Sequence, residues 1–536
     1  MKKYFIVFSL IILSHSISWA QDYQSAIFKL TRVFSLINFY YVDSVNNDKL
    51  IDAAIVATLK KLDPHSIYIP KDEVKAMNEP LEGNFEGVGI QFAIVDDTLQ
   101  VVIPIANGPS EKVGIRAGDR IVKVNDKNIA GIGLKNSDVI HLLRGKKGTK
   151  VNVVIKRLNE KKLLDFTIIR DKIPIYSLDA YYMLNKNTIY FKLSRFASKS
   201  DDELISAFDS LNKTNKIENI VFDLRGNGGG YLRTAFKIAD EFLTKGRMIV
   251  YTKGIHSPYS DYKATDRGFF EKGRLVVLID ENTASASEIV SGAIQDWDRG
   301  VIIGRRSFGK GLVQQPFTLQ DTSMIRLTIA KYYTPSGRLI QKPYNKGEKK
   351  YEMDIINRYN HGELTNADSI HFPDSLRYTT NIYHRTVYGG GGIMPDIFIP
   401  LDTTKKYSVI MSKIFRKGLL NSYIVNYIDK NRKMLHKQYP SFKSFNKNFS
   451  IDNDFMSNLL AEAEKNGIKL NEDDNDKQKF FDDSLSRTLL KALIARDLWS
   501  TTEYFKILNQ NDEVIQKAID IIGNKKRYEQ ILKGKK

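Results

Sequence analysis

Beyond residue 171 the chain alternates between short, continuous apolar runs and stretches with helical periodicity. Strands buried on both faces of a parallel sheet read as such runs, whereas amphipathic helices place apolar residues three or four positions apart. Alternation of this kind predicts an α/β core. The apolar runs are Thr188–Leu193, Ile220–Leu224, Leu275–Ile279 and Val301–Gly304, and the helical stretches between them include Leu232–Leu243 and Ser287–Gln295.

The pattern differs on both sides of this core. Residues 21–82 show helical spacing, and residues 83–171 form a β-rich module in which glycine and proline separate short β-type runs. The α/β core is predicted over residues 172–402, with a polar insertion at about 342–388. Residues 403–536 return to helical periodicity, and their role is open. The predicted fold class is therefore multidomain α/β (α+β), with helical N- and C-terminal regions.

The first twenty residues have the pattern of a secretory signal peptide. Lys2 and Lys3 precede an apolar run at residues 5–13, and the small residues Ser18 and Ala20 stand at −3 and −1 of a cleavage site. We therefore predict cleavage after Ala20 and export, to a periplasm or to the exterior. The chain has no cysteine, which excludes disulfides, thiolate metal sites and cysteine nucleophiles.

The formal net charge of +19 fits nucleic-acid binding, an anionic envelope surface or solubility alone. Lysine and arginine are dispersed, however, and no nucleic-acid-binding motif accompanies them. The eight histidines form no His-x-x-x-His pair, and His65, within residues 63–68, is interpreted as a turn or packing residue. We therefore expect neither a nucleic-acid partner nor a metal.

Two glycine-rich segments resemble nucleotide-binding loops but lack a required residue. Residues 223–230 follow a strand and precede a helix, yet the dinucleotide pattern needs glycine where Tyr231 stands. Residues 304–310 match the start of a Walker A loop, but Gly311 replaces the Ser or Thr that would hold magnesium. Residues 223–230 are instead interpreted as a tight turn whose N–H groups stabilise an oxyanion, with a purely structural turn as the alternative.

Ser285 and Lys310 are a candidate nucleophile and base, with no histidine between them. A serine hydroxyl needs a neighbour that accepts its proton, and a lysine does so when burial lowers its pKa from about 10.4 towards roughly 7–8. The competing interpretation is structural, because Ser285 and Glu288 have the spacing of a capping box and a lone lysine is usually solvated. The sequence thus predicts a Ser–Lys dyad hydrolase, with a helix cap as the alternative.

The β-rich module carries a second candidate site. Residues 108–125 resemble the signature of PDZ domains in bacterial proteases. PDZ domains add a peptide tail as a strand to a sheet edge and hold its terminal carboxylate in a glycine-containing loop. Gly87, Val88, Gly89 and Ile90 are the predicted carboxylate loop, and an ordinary glycine-rich hairpin is the alternative.

Taken together, these motifs resemble the C-terminal processing (tail-specific) proteases, which are serine peptidases with an embedded PDZ domain. The resemblance covers roughly residues 40–400 and does not reach the C-terminal region. It rests on motifs that occur in the family's order, namely Asp63–Ser66, residues 108–125, Asp223–Gly230, Thr283–Glu288, Phe308–Gln314, Tyr333–Arg338 and Gly392–Asp396.

The resemblance implies roles for particular residues. Ser285 is expected to be the nucleophile and Lys310 the general base, with Gln314 orienting the lysine amine. The backbone N–H of Ala286 and one from the turn at Gly228 and Gly229 are expected to form the oxyanion hole. Which glycine of residues 228–230 donates is open at this point.

The implied function is cleavage of unfolded or tail-exposed proteins, with a preference for non-polar C-terminal residues and without a metal or organic cofactor. Family members often assemble through their terminal helices, so residues 22–80 and the C-terminal region are candidates for homo-oligomer contacts. An adaptor protein is a further candidate partner. Two alternatives are a catalytically silent PDZ scaffold on a protease fold and a hydrolase of small esters or lipids. The retained Ser285, Lys310 and Gln314 argue against the scaffold, and the PDZ module argues against the small-ester hydrolase.

Overall fold

The computed structural model describes residues 24–157, 160–468 and 474–535. The predicted signal peptide at residues 1–20 and its cleavage position after Ala20 lie outside the described residues. The N-terminal part is helical, as predicted. It consists of α1 (residues 24–40), α2 (Asn47–Leu59), strand β1 (Ile67–Ile69) and α3 (Lys71–Glu82). The side chain of Asn46 accepts from the Lys49 N–H and so caps α2.

The β-rich module follows directly. Its strands are β2 (Asn84–Gly87), β3 (Ile90–Val95), β4 (Thr98–Pro104), β5 (Arg120–Val124), β6 (Lys127–Asn128), β7 (Lys150–Lys156), β8 (Leu164–Ile169) and β9 (Asp171–Pro174), and its helices are α4 (Pro109–Lys112) and α5 (Asn136–Leu143). The antiparallel sheet runs β3–β4–β5–β7–β8, β6 pairs with β5, and β2 pairs with β9 separately. The outer edge of β3 pairs with no strand in the described part of the chain.

The predicted α/β core is confirmed. Its sheet runs in the order β10 (Leu178–Met183), β11 (Thr188–Leu193), β12 (Asn219–Asp223), β15 (Arg274–Ile279), β16 (Val301–Gly304) and β21 (Ile397–Phe398). All neighbours are parallel except β10 and β11. Helices α6 (Ser200–Asn212), α7 (Leu232–Asp240) and α8 (Ala286–Asp296) cover one face. Burial on both faces explains why these strands read as continuous apolar runs.

A second sheet packs beside this core. It contains β1 together with β13 (Met248–Lys253), β14 (Ser260–Lys263), β17 (Leu312–Thr318) and β18 (Met324–Tyr333). Strand β18 is its centre, because β17 pairs along one edge while β1 and β13 share the other. The residues after Gly311 are therefore extended. The polar insertion holds two short helices and a hairpin, α9 (Glu348–Glu352), α10 (Asp354–Asn360), β19 (Arg377–Thr379) and β20 (Thr386–Tyr388).

The C-terminal region is helical, as predicted. Its first seven helices in the described part of the chain share one apolar core. They are α11 (Val409–Arg416), α12 (Leu419–Gln438), α13 (Phe442–Asn448), α14 (Asn453–Lys465), α15 (Asp474–Phe481), α16 (Ser484–Leu498) and α17 (Thr501–Leu508). The last two, α18 (Glu513–Gly523) and α19 (Lys525–Leu532), cover the second face of the core sheet. Helix α12 packs on the β-rich module, where Asp429 pairs with Arg120 at 3.2 Å. Within the described ranges, no helix combines the length and the apolar character that a membrane span requires.

Candidate active site

A cavity of about 420 Å³ opens between α3, the glycine turn after β12, the start of α8, and strands β17 and β18. It brings together six residues that the sequence singled out: Ser285, Lys310, Gln314, Ala286, Gly228 and Gly229. Most of the other side chains around it are apolar, including Leu81, Leu232, Ile289, Leu312, Val313 and Tyr332, and two are charged, Glu82 and Arg326. An apolar cavity with a few polar groups suits the binding of a substrate segment.

Ser285 lies directly before helix α8 on a strained backbone. Its φ of 56° and ψ of −115° are rare for a residue other than glycine. Its N–H donates to Oε2 of Glu288 at 2.8 Å, which is the carboxylate half of the predicted capping box. The next N–H, that of Ala286, has no partner among the described residues and lies at the positive end of the α8 dipole.

Lys310 reaches the same cavity from the loop between β16 and β17. Burial, aided by the positive charge of Arg326, lowers the pKa of the Lys310 amine to about 8. Nζ donates to Oε1 of Gln314 at 2.9 Å. Among the described residues, Gln314 and not Ser285 accepts this bond, and no hydrogen bond joins the side chains of Lys310 and Ser285. Both side chains nevertheless line the same cavity. The lysine amine is thus held in the Ser285 cavity with a depressed pKa.

Two fully buried side chains connect the Ser285 and Lys310 segments. Oε2 of Glu288 accepts from the N–H of Ser285 and from that of Lys310, both at 2.8 Å. Its Oε1 accepts from Ser307 Oγ at 2.5 Å and Gly309 N–H at 2.7 Å. The hydroxyl of Tyr332 contacts the carbonyl oxygens of Ser285 (3.0 Å) and Lys310 (2.6 Å). The carboxylate half of the capping box is therefore present, the Glu288 N–H donates to the Ser285 carbonyl at 2.8 Å, and the glutamate also fixes the lysine loop.

His65 lies behind Gln314, a contact that sequence reasoning missed. Its ring meets Tyr351 of the polar insertion, with Nε2 2.7 Å from the tyrosine hydroxyl, which agrees with a packing role. Its carbonyl, however, accepts a hydrogen bond from Gln314 Nε2. Asp63 Oδ1 accepts from the His65 N–H at 2.8 Å and so forms the turn that carries this carbonyl. The sequence signal for the contact was that Asp63–Ser66 is one of the motifs shared with the C-terminal processing proteases.

The glycine turn after β12 distinguishes between the candidate donors. The N–H of Gly229 is already used, because it donates to Asn227 Oδ1 at 2.9 Å. The N–H of Gly228 has no partner within the described part of the chain. Gly229 has φ +103°, and a Cβ there would lie 2.8 Å from the Ser285 Cβ. Glycine is thus required for the turn to approach Ser285 so closely.

The candidate carboxylate loop lies at the end of the free β3 edge. Gly87 ends β2, Val88 and Gly89 form the connection, and Ile90 begins β3. The carbonyl of Val88 accepts from Ser110 N–H (3.1 Å) and Oγ (2.7 Å). The N–H groups of Val88 and Gly89 donate to no other described residue. The loop therefore presents two free donors beside an open sheet edge.

Comparison with known proteins agrees with this geometry. The sequence profile of peptidase family S41 matches residues 187–347, and that of the PDZ domain matches residues 101–157. A carboxy-terminal-processing protease from Bartonella bacilliformis is 37% identical over 371 residues, which cover 68% of this chain and 84% of that protein. The chain belongs to the carboxy-terminal-processing protease family.

Other relatives of this protease carry similar names. The carboxy-terminal processing protease CtpA of Bacillus subtilis is 34% identical over 327 residues, or 61% of this chain and 69% of that protein. Among solved structures, a photosystem II D1 C-terminal processing protease is 29% identical, covers 57% of this chain and 83% of its own, and has a TM-score of 0.34. Residues 410–500 match a family of unknown function.

Membership makes the chain a serine-type peptidase that acts on proteins and carries a PDZ domain ahead of its protease core. Residues 304–310 of this protease do not form a phosphate loop, as their mismatch to the Walker A pattern indicates. After Gly304 the chain forms a loop and then strand β17, so no helix N-terminus follows Lys310 to face a phosphate. The turn at residues 226–230 leads into α7, but it lines the Ser285 cavity.

Proposed function

We propose that this protein is an exported serine endopeptidase that captures protein C-termini on its PDZ domain and cleaves with a Ser285–Lys310 dyad. The observation that carries the proposal is the Lys310 amine, which lies in the Ser285 cavity with its pKa lowered to about 8. Such an amine is deprotonated often enough near neutral pH to accept a serine proton. A serine that only capped a helix would have no need of this neighbour.

In the proposed mechanism, neutral Lys310 takes the proton of the Ser285 hydroxyl as Oγ attacks the scissile carbonyl carbon. One amine N–H donates to Gln314, which leaves the nitrogen lone pair free to turn towards Ser285. The tetrahedral intermediate then collapses, the C–N bond breaks, and the Lys310 ammonium gives its proton to the departing amine. Water attacks the resulting ester with Lys310 again as base, which releases the acid and restores Ser285.

The intermediate carries a negative oxygen that needs donors. We assign these to the backbone N–H of Ala286 and of Gly228, since neither has a partner among the described residues. The N–H of Gly229 is a poorer candidate because Asn227 occupies it. Gly229 instead allows the turn to lie against Ser285. Preorganised backbone donors of this kind stabilise charge that develops in the transition state.

Substrate capture is assigned to the PDZ domain. An extended C-terminal segment would add as a strand to the free edge of β3, with its carboxylate on the loop Gly87–Ile90. The free N–H groups of Val88 and Gly89 support this. Ile90 and Phe92 pack half-buried against the PDZ core, so we expect a preference for non-polar C-terminal residues.

We further propose export to the periplasm, with release to the exterior as the alternative. The support is the signal-peptide pattern at residues 1–20. Expression in a Gram-negative host, cell fractionation and intact mass measurement of the product test this. A mature chain that begins at Gln21 in the periplasmic fraction is expected, and a full-length cytoplasmic chain would contradict it.

We propose self-assembly through the N-terminal helices. These helices leave many apolar side chains exposed, namely Ile27, Phe28, Leu30, Val33, Leu36, Phe39, Ile51 and Val56. Exposed apolar surface of this extent is typical of an interface. Light scattering should give a multiple of the chain mass, and a Phe28→Glu/Phe39→Glu variant should be monomeric. A monomeric wild type would instead favour an adaptor protein as the occupant.

The test of the central proposal is proteolysis. The mature protein, Ser285→Ala and Lys310→Ala are incubated over a range of pH with an unfolded protein that ends in apolar residues. Wild type should cleave it, and both variants should be folded by circular dichroism but inactive. An intact substrate with wild type would favour the catalytically silent PDZ scaffold. Equal cleavage by Ser285→Ala would overturn the dyad.

A further inference from the structure

The C-terminal region is packed into the protease core. One face of the core sheet presents Tyr190, Val221 and Val276, and these are buried against Val514 and Ile515 of α18. Further along, the hydroxyl of Tyr528 donates to the Leu275 carbonyl at 3.0 Å. The apolar face of α18 and α19 thus fixes the start of α18 at one place on the core.

Asp512 lies directly before helix α18 and makes two different sets of contacts. Its Oδ1 caps α18 by accepting from the N–H groups of Val514 (2.9 Å) and Ile515 (3.1 Å). Its Oδ2 accepts from Nη1 of Arg225 at 2.8 Å. Nearby, Asn509 Nδ2 donates to the Tyr182 hydroxyl at 2.8 Å. The segment 509–512 therefore bonds to the core at two points.

Arg225 is the residue from which the glycine turn begins. Its Nε and Nη2 bond both oxygens of the buried Asp223, and its own N–H donates to Asp223 Oδ1 at 2.9 Å. Lys192 Nζ donates to its carbonyl. Asp512 takes the remaining Nη1, and the Arg225 and Asp512 side chains are only 19% and 24% exposed. The backbone N–H, the carbonyl and all three guanidinium nitrogens of Arg225 thus have a hydrogen-bond partner.

The turn at residues 226–230 has wide conformational freedom of its own, because four of its five residues are glycine. Its far end is held by Phe196, which donates to the Gly229 carbonyl and accepts from the Tyr231 N–H, both at 2.9 Å. Its near end is held by Arg225, by the Gly226 N–H, which donates to Asp280 Oδ1 at 2.9 Å, and by the buried Asn227, whose Nδ2 donates to the Leu193 carbonyl at 3.0 Å. The position of the Gly228 N–H in the Ser285 cavity therefore depends on these anchors together, and Arg225 is the one that contacts the C-terminal region.

We propose that Asp512 is a positioning residue for the oxyanion turn, so that the C-terminal region is part of the catalytic unit. This inference rests on the proposed function. Asp512 does not touch substrate and acts through Arg225. Asp512→Asn should keep the helix cap, because Asn is an equally good cap. It places an amide donor opposite the Arg225 Nη1 donor, which pushes the guanidinium away.

The experiment compares Asp512→Asn with Asp452→Asn in the full-length protein. Asp452 caps α14 with its side chain, which accepts from the Phe455 N–H at 2.8 Å. Asp512→Asn should lower kcat about 5- to 20-fold with little change in KM, since an oxyanion donor acts mainly in the transition state. Affinity for a peptide boronate, which forms a tetrahedral adduct, should fall by a similar factor, and affinity for the product peptide should not. Asp452→Asn should match wild type in all three.

The result separates the two proposals. A wild-type protein without peptidase activity would overturn the proposed function. An active wild type with an unchanged or higher kcat in Asp512→Asn would overturn only this inference. Urea unfolding measures the unfolded fraction of each variant under the assay conditions. If the unfolded fraction of Asp512→Asn accounted for its whole loss of kcat, the effect would be structural and this inference would be overturned. The pH at which Lys310 loses its proton should be the same in both variants.

Discussion

Gln314 Nε2 donates a hydrogen bond to the backbone carbonyl of His65, a residue 249 positions earlier in the chain. The other end of the same amide, Oε1, accepts from Lys310 Nζ at 2.9 Å. A carbonyl can only accept, so His65 determines which end of the amide faces the lysine. The N-terminal region thereby orients the proposed base through one side chain.

Gln314→Leu removes both contacts while nearly preserving volume. We expect kcat to fall about 10- to 100-fold, because a hydrogen bond to a charged or reactive amine is lost. Steady-state proteolysis measures this, with Gln320→Leu in the exposed turn between β17 and β18 as the control. Retention of the wild-type kcat in Gln314→Leu would show that the lysine needs no such partner.

The acid limb of the pH profile should report Lys310. Its pKa is lowered to about 8, and only the neutral amine accepts the serine proton. The value of kcat/KM should therefore rise about tenfold per pH unit below this value and level off above it. His65 does not add a limb between pH 5 and 9, because burial and the nearby Lys310 charge lower its pKa to about 4. A limb near pH 6.5 that His65→Gln removes would argue for a histidine base.

Arg326 adjusts the same ionisation. It lines the Ser285 cavity, and its positive charge is a secondary cause, after burial, of the lowered Lys310 pKa. Arg326→Gln should therefore raise the Lys310 pKa and move the acid limb to higher pH, which lowers activity at pH 7. The control is Lys331→Gln, which removes an exposed charge from the same strand. Identical pH profiles for Arg326→Gln and wild type would contradict the prediction.

Glu288 connects the nucleophile and base segments through its carboxylate. In Glu288→Gln one oxygen becomes an NH₂ group that faces N–H donors, so buried hydrogen bonds are lost. We expect a loss of about 2–4 kcal/mol in the free energy of unfolding, and a fall in kcat larger than the unfolded fraction explains. Urea unfolding and active-site titration measure the two effects. Glu352→Gln, at an exposed position of α9, should change neither.

Gly229 should tolerate no side chain. In Gly229→Ala the new Cβ would lie 2.8 Å from the Ser285 Cβ and 2.9 Å from the Ala284 carbonyl oxygen, so the serine must shift. We expect activity to fall by more than about 100-fold, while peptide binding to the PDZ domain is unchanged. Gly246→Ala is the matched control, since Gly246 also has positive φ (+83°) but faces open space. Comparable activity of the two variants would refute a close approach of the turn to Ser285.

The sequence was sufficient for features that depend on neighbours along the chain. Helical and strand periodicity predicted the α/β core, the β-rich module and the helical ends. Strand β12 (Asn219–Asp223) illustrates this, because all five residues are buried and the three between its polar ends, Ile220–Phe222, form an apolar run. The motifs likewise singled out Ser285 and Lys310, and their resemblance to the C-terminal processing proteases implied Gln314 and the protease family.

Tertiary structure alone decided the contacts between distant segments. A capping box between Ser285 and Glu288 is visible in the sequence, but the bond from Glu288 to the Lys310 loop is not. The same holds for the His65 carbonyl behind Gln314, for the free N–H of Gly228 and for Asp512 on Arg225. The physical reason is that periodicity records which face of an element is buried, whereas a hydrogen bond between remote segments depends on how the elements pack.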